Sequence, residues 1–247
     1  MNLELVSANQ IIGIDVGVKK VVTASDEINF EFEGKKYCCN QLDGINPFKE
    51  NKHQLAKLQK DLARKTKYSR NWYQQKAKLS KMHKHIACIR HDFIHKISTA
   101  ITGSYAYVAI ENLNIKNMSK SSQGTKEQSG KPVKQKSGLN RSILDQGWGI
   151  FRQQLEYKLE WNGGMLLVVP PQYTSQTCPP CEHVSQDNRK TQSQFECVNC
   201  GYKNHADMVG AINILERGHR LLACGEPVKS NRSMKQEPAE VSQLAFS

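Results

Sequence analysis

Tyr173 to Glu216 decides how this chain is read. It holds Cys178-Pro179-Pro180-Cys181, fifteen intervening residues, Cys197-Val198-Asn199-Cys200 and, seven positions on, Asp207 at the head of an apolar, helix-like run. Two C-x-x-C knuckles at this spacing form the four-thiolate zinc pattern. Zn²⁺ takes four tetrahedral ligands, and each knuckle supplies two sulfurs from one tight turn. Sites of this kind are closed, so Cys178, Cys181, Cys197 and Cys200 are expected to hold a structural zinc. That ion would fold residues 173–203 into a ribbon and take no part in chemistry. The spacing and the polar filling favour this over four unrelated buried thiols or a redox pair. The chemistry is expected beside the ribbon, at Asp207.

Working outward, 247 residues suffice for a sizeable core and suggest one domain or two. A formal charge of +12 points to a polyanionic partner, with nucleic acid first and an anionic membrane surface second. No run approaches the ~18 apolar residues that span a bilayer. Met1 to Gln10 carry Glu4 and lack both a basic start and an apolar core, so no signal peptide is expected. Cys38, Cys39, Cys88 and Cys224 show no framework spacing, which fits a reducing, cytoplasmic compartment.

Upstream, Ile11-Ile12-Gly13-Ile14-Asp15-Val16-Gly17 reads as a buried strand ending in a glycine turn. Lys20–Ala24 and Ile28–Phe32 complete an expected meander of three short strands. Asp15 either meets a cation or hydrogen-bond donors, as burial of a carboxylate demands, or merely caps the turn. Residues 48–102 read as a basic helical hairpin. Leu55, Leu58 and Leu62 mark its first helix, which stops near Lys67-Tyr68-Ser69. Trp72, Leu79, Met82, Ile86, Ile89, Phe93, Ile97 and Ile101 form one seam on a second helix of about 30 residues. Its many cations, Lys57, Arg64, Lys65, Arg70, Lys78 and Lys81 among them, favour phosphate contact over a plain solvated face. His83, His85, His91 and His95 read as surface or core residues.

Tyr105 to Ile110 is a second apolar strand closed by Glu111. Residues 118–138 are polar and read as a mobile linker or a lid. Leu144, Trp148, Phe151, Leu155 and Leu159 predict one helix, ended by Asn162-Gly163-Gly164. Met165–Val169 predicts a short buried strand, and a helix is expected from Asp207 to Arg217, with 218–247 a disordered tail. Asp15 and Glu111 thus each close an apolar strand, and Asp207 opens a helix. Strands joined through helices gather their carboxyl ends at one sheet edge. Three carboxylates meeting there would repel one another unless divalent cations sat among them. Mg²⁺ or Mn²⁺ in such a place can drive in-line attack on a phosphodiester. Asp207 also has a bland reading, since Asp favours the first turn of any helix.

Gly13-Ile14-Asp15-Val16-Gly17, Ile110-Glu111-Asn112-Leu113 and Ala206-Asp207 through Ala211-Ile212-Asn213-Ile214 resemble the three motifs of a RuvC-type nuclease. Leu139-Asn140-Arg141-Ser142-Ile143-Leu144-Asp145-Gln146-Gly147-Trp148 and the stretch from Ser175-Gln176-Thr177-Cys178 to Cys200-Gly201-Tyr202 narrow the likeness to TnpB, also called OrfB. This is an insertion-sequence-encoded transposase family with a C-terminal zinc ribbon. The resemblance implies an α/β, RNase H-like mixed sheet over 1–172 and 204–217, with the 48–102 hairpin inserted and the ribbon placed before the third acid. It implies a two-metal DNA endonuclease with Asp15, Glu111 and Asp207 as catalytic ligands of magnesium, guided by RNA and serving transposition in a bacterial-type cytoplasm. Arg189 and Lys190 join the hairpin cations as expected nucleic-acid contacts. The family carries a substantial region ahead of the first motif, where this sequence has about ten residues, so a catalytic part lacking the recognition region is expected. Glu182 stands where the family has Gly after the first knuckle, and Val209 where an Asn is common. The alternative reading is a zinc-ribbon nucleic-acid-binding remnant that does not cleave.

Overall fold

A computed structural model describes residues 11–124 and 130–224. The elements run β1 (Ile11–Asp15), β2 (Lys20–Phe32), β3 (Lys35–Asp43), α1 (Pro47–Glu50), α2 (Lys52–Ala63), α3 (Arg70–Ser104), β4 (Tyr107–Glu111) and α4 (Ile115–Met118). They continue with α5 (Val133–Gln146), α6 (Trp148–Trp161), β5 (Met165–Val169), β6 (Gln194–Glu196), β7 (Lys203–His205) and α7 (Ala206–Cys224). One mixed sheet has the order β3-β2-β1-β4-β5. β1, β4 and β5 are parallel, and β2 runs antiparallel to both its neighbours.

The period of two along each strand decides which helix it meets. Ile12 and Ile14 of β1, with Val108 and Ile110 of β4, pack into the main core with Phe93, Ile97 and Ile101 of α3 and Leu155 and Leu159 of α6. The alternate residues, Ala109 of β4 and Leu167 and Val169 of β5, bury against Ile214 of α7 on the opposite face. Gly13 belongs to that second set. A Cβ there would lie 2.6 Å from the Leu215 amide nitrogen of α7, a backbone atom that has nowhere to go. Overpacking of this kind costs about 1–3 kcal/mol even where side chains can yield. We expect Gly13→Ala to lose about 3 kcal/mol in denaturant unfolding; a variant as stable as wild type would show that α7 docks more loosely than this.

Several sequence expectations need correction. Lys20–Ala24 and Ile28–Phe32 are one strand, and the third strand of the meander is Lys35–Asp43. A left-handed pair, Glu33 (φ 50°) and Gly34 (φ 74°), makes the tight hairpin between them. β3 is a polar edge strand, so no apolar alternation betrays it. The expected helix from Leu144 to Leu159 is two helices, broken where Gly147 turns left-handed (φ 69°). Leu144 is consequently 55% exposed, and Ile143 takes the buried place. The polar stretch 118–138 is helical from Val133, while 125–129 lie outside the described residues. The last helix continues past Arg217 to Cys224, and the rest of the expected tail, 225–247, lies outside the described residues. The β4 strand begins at Tyr107 rather than Tyr105, whose own side chain is buried.

The long seam is as read, but its helix is 35 residues long. From Ile86 onward α3 lies on the sheet, whereas no residue from Arg70 to His85 is buried. All four histidines of α3 are surface residues. Two polar ties fix α3 to the other helices. Arg90 pairs at 2.7 Å with Asp145, which is 5% exposed and also accepts from the Phe48 amide. Lys158 of α6, 7% exposed, donates to the His95 carbonyl and to the Ser98 and Thr99 hydroxyls, and burial pulls its ammonium down to about 8. Among the described residues no helix is long and apolar enough to cross a membrane.

Candidate active site and metal centre

The four knuckle cysteines meet. Their sulfurs all lie within 4.8 Å of one another, with Cys178–Cys200 at 3.5 Å and Cys181–Cys197 at 3.6 Å. Four thiolates roughly 2.3 Å from a tetrahedral ion would stand about 3.8 Å apart, so this set suits such an ion. Each knuckle closes with the same amide-to-carbonyl bond, Glu182 to Cys178 at 2.8 Å and Gly201 to Cys197 at 2.9 Å. Both closing residues are left-handed, Gly201 at φ 75° and Glu182 at φ 56°. The non-glycine residue there costs about 1–2 kcal/mol, and its carboxylate is tied at 2.5 Å to Arg220 of α7. Asn188 is fully buried and staples the ribbon. Its amide donates to the Gln176 and His183 carbonyls, and its carbonyl accepts from the Val198 amide. Val209 fills the apolar seat between Phe195, Cys178, Cys197 and Ala206, so the first turn of α7 is held by packing.

The three acids are brought to one face. Ile14 pairs with Ile110, so Asp15 and Glu111 follow side by side at the carboxyl ends of β1 and β4. Both fall on the α7 side of the sheet by the same parity as Gly13 and Ala109. Asp207 stands in the first turn of α7. Gly210, one turn later, leaves room for the first acid: a Cβ there would lie 2.9 Å from Asp15 Oδ2. Burial above all, then the charges of Glu111 and Asp207, push the Asp15 carboxyl up to about 7, against a smaller opposing pull from Arg189. Burial raises Glu111 as well, opposed by the Thr174 hydroxyl and by Arg217. Among the described residues the four thiols are the one group close enough to share a metal ion, and the oxygens of the three carboxylates are not drawn together to that extent. Hard carboxylate oxygens on one face, with Asp15 raised in part by the charges of the other two, are a donor set that a divalent ion would relieve.

The hairpin cations Lys57, Arg64, Lys65, Arg70, Lys78 and Lys81 are all exposed on α2, α3 and the turn between, away from these acids. Arg189 is not an open surface contact: its guanidinium lies 3.6 Å from Asp207 Oδ1. Lys190 is exposed but paired with Glu196 at 2.7 Å. The sequence reading missed two residues that orient the acids. Thr174, buried, donates its hydroxyl to Glu111 Oε1. Asn213 donates to the Thr174 and Thr177 carbonyls at 2.7 and 2.8 Å, joining α7 to the root of the ribbon. A polar residue just before a knuckle carries no spacing signal, but an Asn inside the apolar α7 run was open to notice.

Comparison with known proteins gives the family. Residues 2–122 match the family described as probable transposase, OrfB of the IS605 type, and residues 148–214 match the TNB domain of Cas12f1-like proteins. The chain is 49% identical over 233 residues to "Putative RNA-guided DNA endonuclease InsQ" of Escherichia coli K12, covering 94% of this chain and 55% of that protein. It is 31% identical over 238 residues to a "Putative RNA-guided DNA endonuclease" of Streptomyces pristinaespiralis, covering 92% and 52%. The chain therefore spans about half the length of these relatives. Among solved structures, a Cas12f1–sgRNA–target DNA complex superposes with a TM-score of 0.52 at 22% identity, over 85% of this chain and 50% of that one, a likeness of fold. The two family matches and the identity to InsQ together lead to one conclusion: the chain belongs to the OrfB (TnpB) transposase family.

Proposed function

We propose that this chain is the catalytic part of a metal-dependent DNA endonuclease of TnpB type, built on an RNase H-like sheet of the RuvC kind. The observation that carries the reading is the convergence of Asp15, Glu111 and Asp207 on the α7 face, where their charges and burial push Asp15 to about 7. Asp15, Glu111 and Asp207 would hold divalent magnesium or manganese, and Cys178, Cys181, Cys197 and Cys200 would hold zinc. Two ions so placed would activate a water and stabilise the leaving oxygen of an in-line attack on a phosphodiester. The chain's own residues supply the frame for that attack. Thr174 fixes the rotamer of Glu111, and α7 presents Asp207 with its first-turn dipole. Arg189, beside Asp207, offers a guanidinium for the reacting phosphate. The names of the relatives support DNA as substrate and RNA as guide.

The test is hydrolysis of single-stranded DNA by the zinc-loaded chain in Mg²⁺ or Mn²⁺. We expect Glu111→Gln to lower the rate roughly a hundredfold or more, the scale seen when one preorganised polar group is lost. Equal signals from wild type and variant would sink the enzyme reading and leave a nucleic-acid-binding protein that does not cleave.

A further inference from the structure

The far end of the α2–α3 hairpin carries a cluster of rings that the cleavage centre does not use. Tyr68 is 66% exposed and Tyr73 54% exposed, and Trp72 lies between them. The Tyr68–Trp72 and Trp72–Tyr73 centroids are 5.6 and 5.2 Å apart. Cations dress the rings: Lys67 Nζ is 5.4 Å from the Tyr68 centroid and Lys76 Nζ 5.2 Å from that of Trp72. Beside them a shallow cavity of about 380 Å³ is lined by Leu62, Lys65, Lys67 and Trp72, among others. Among the described residues none of Lys65, Lys67, Arg70 and Lys76 makes a salt bridge, so the charge stands uncompensated.

The combination selects the occupant. An apolar protein segment gains nothing from unpaired cations in its seat, and the backbone of a duplex gains nothing from exposed rings. Unpaired nucleobases stack on aromatic faces while their phosphates take the lysines. We propose that this tip is a stacking platform for a single strand of DNA or RNA. The unburied part of α3, Arg70 to His85, carries it roughly 24 Å beyond the point where the helix meets the sheet. A strand held there is gripped at a distance from Asp15, Glu111 and Asp207. The proposal shares with the proposed function only the nucleic-acid partner, not hydrolysis.

The experiment is equilibrium binding by the zinc-loaded chain without magnesium, read by anisotropy of labelled probes. The probes are a twenty-nucleotide oligothymidylate, an oligouridylate of equal length and a duplex of mixed sequence. The variant Tyr68→Gly/Tyr73→Ala removes two exposed rings and keeps every charge, and glycine suits the left-handed backbone at Tyr68 (φ 67°). We expect it to weaken single-strand binding roughly tenfold or more, since each stacked base is worth about that factor. Duplex affinity and the salt dependence of binding should stay within about twofold of wild type, because the phosphate contacts remain. Whichever homopolymer loses more identifies the strand as DNA or RNA. Unchanged single-strand binding, or an equal loss on duplex, would overturn the proposal. A chain that binds through these rings but never cuts would overturn only the nuclease reading.

Discussion

Asp15→Asn should make the magnesium-free chain more stable at pH 8 while removing the hydrolytic activity proposed above. The Asp15 carboxyl sits at about 7 in the fold against an ordinary 3.8, held up by burial and by Glu111 and Asp207. A carboxyl whose pKa rises on folding binds its proton more tightly in the native state, so its ionisation opposes folding. Wild-type stability therefore falls as pH rises from about 4 to about 7 and stays low above that. A shift of this size is worth about 4 kcal/mol at most, and relaxation will return part of it. We expect Asp15→Asn to recover about 2–3 kcal/mol at pH 8 and to flatten the stability profile between pH 4 and 7. The measurement is urea unfolding across that range, without chelator so that the thiol-bound ion stays. Millimolar Mg²⁺ should then stabilise wild type and not the variant, by mass action on the folded state. If the variant is no more stable than wild type at pH 8, burial and the two neighbouring acids do not hold the Asp15 carboxyl up.

The second large effect concerns the thiols. The ribbon's strands, β6 and β7, are three residues each, far too short to stand without a bound ion. Structural zinc sites of this type contribute about 10–16 kcal/mol of apparent binding energy at neutral pH. Cys197→Ser/Cys200→Ser should abolish metal retention and unfold residues 173–203 while the five-stranded sheet keeps its circular dichroism. The proposed hydrolysis should fall too, although the zinc would take no part in the chemistry. Thr174 grips Glu111 from the root of the ribbon, and Val209 and Ala206 seat the first turn of α7 on Cys178 and Cys197. Metal analysis beside the rate measurement decides the matter. A zinc-free variant that cuts at the wild-type rate would break the link between ribbon and acids.

Much of the site was legible because its parts leave local marks. Apolar runs closed by Asp15 and Glu111 announce strands whose last residue does something else, and paired knuckles announce a metal. What stayed hidden depends on partners distant in sequence. β3 is polar because its outer edge faces water, so Lys35 to Asp43 shows no alternation. The break at Gly147 hides inside a helical spacing that is correct on both sides of it. Lys158 looks like any helix lysine until α3 supplies its three acceptors. Arg189 reads in the sequence only as an expected nucleic-acid contact, since only the fold shows Asp207 opposite it. Thr174 and Glu111 are joined by packing, not by any pattern.

The docking of α7 across β1 has a consequence for synthesis. Asp15 and Glu111 are made before the ribbon, and their third companion rides on the helix that follows it. That helix can close on Gly13 only after the ribbon has been synthesised. A ribosome still translating the ribbon therefore carries two of the three acids and not the third, so the hydrolysis proposed above would not yet be open to it. The proposed hydrolytic hazard would be armed only once α7 has left the ribosome and docked.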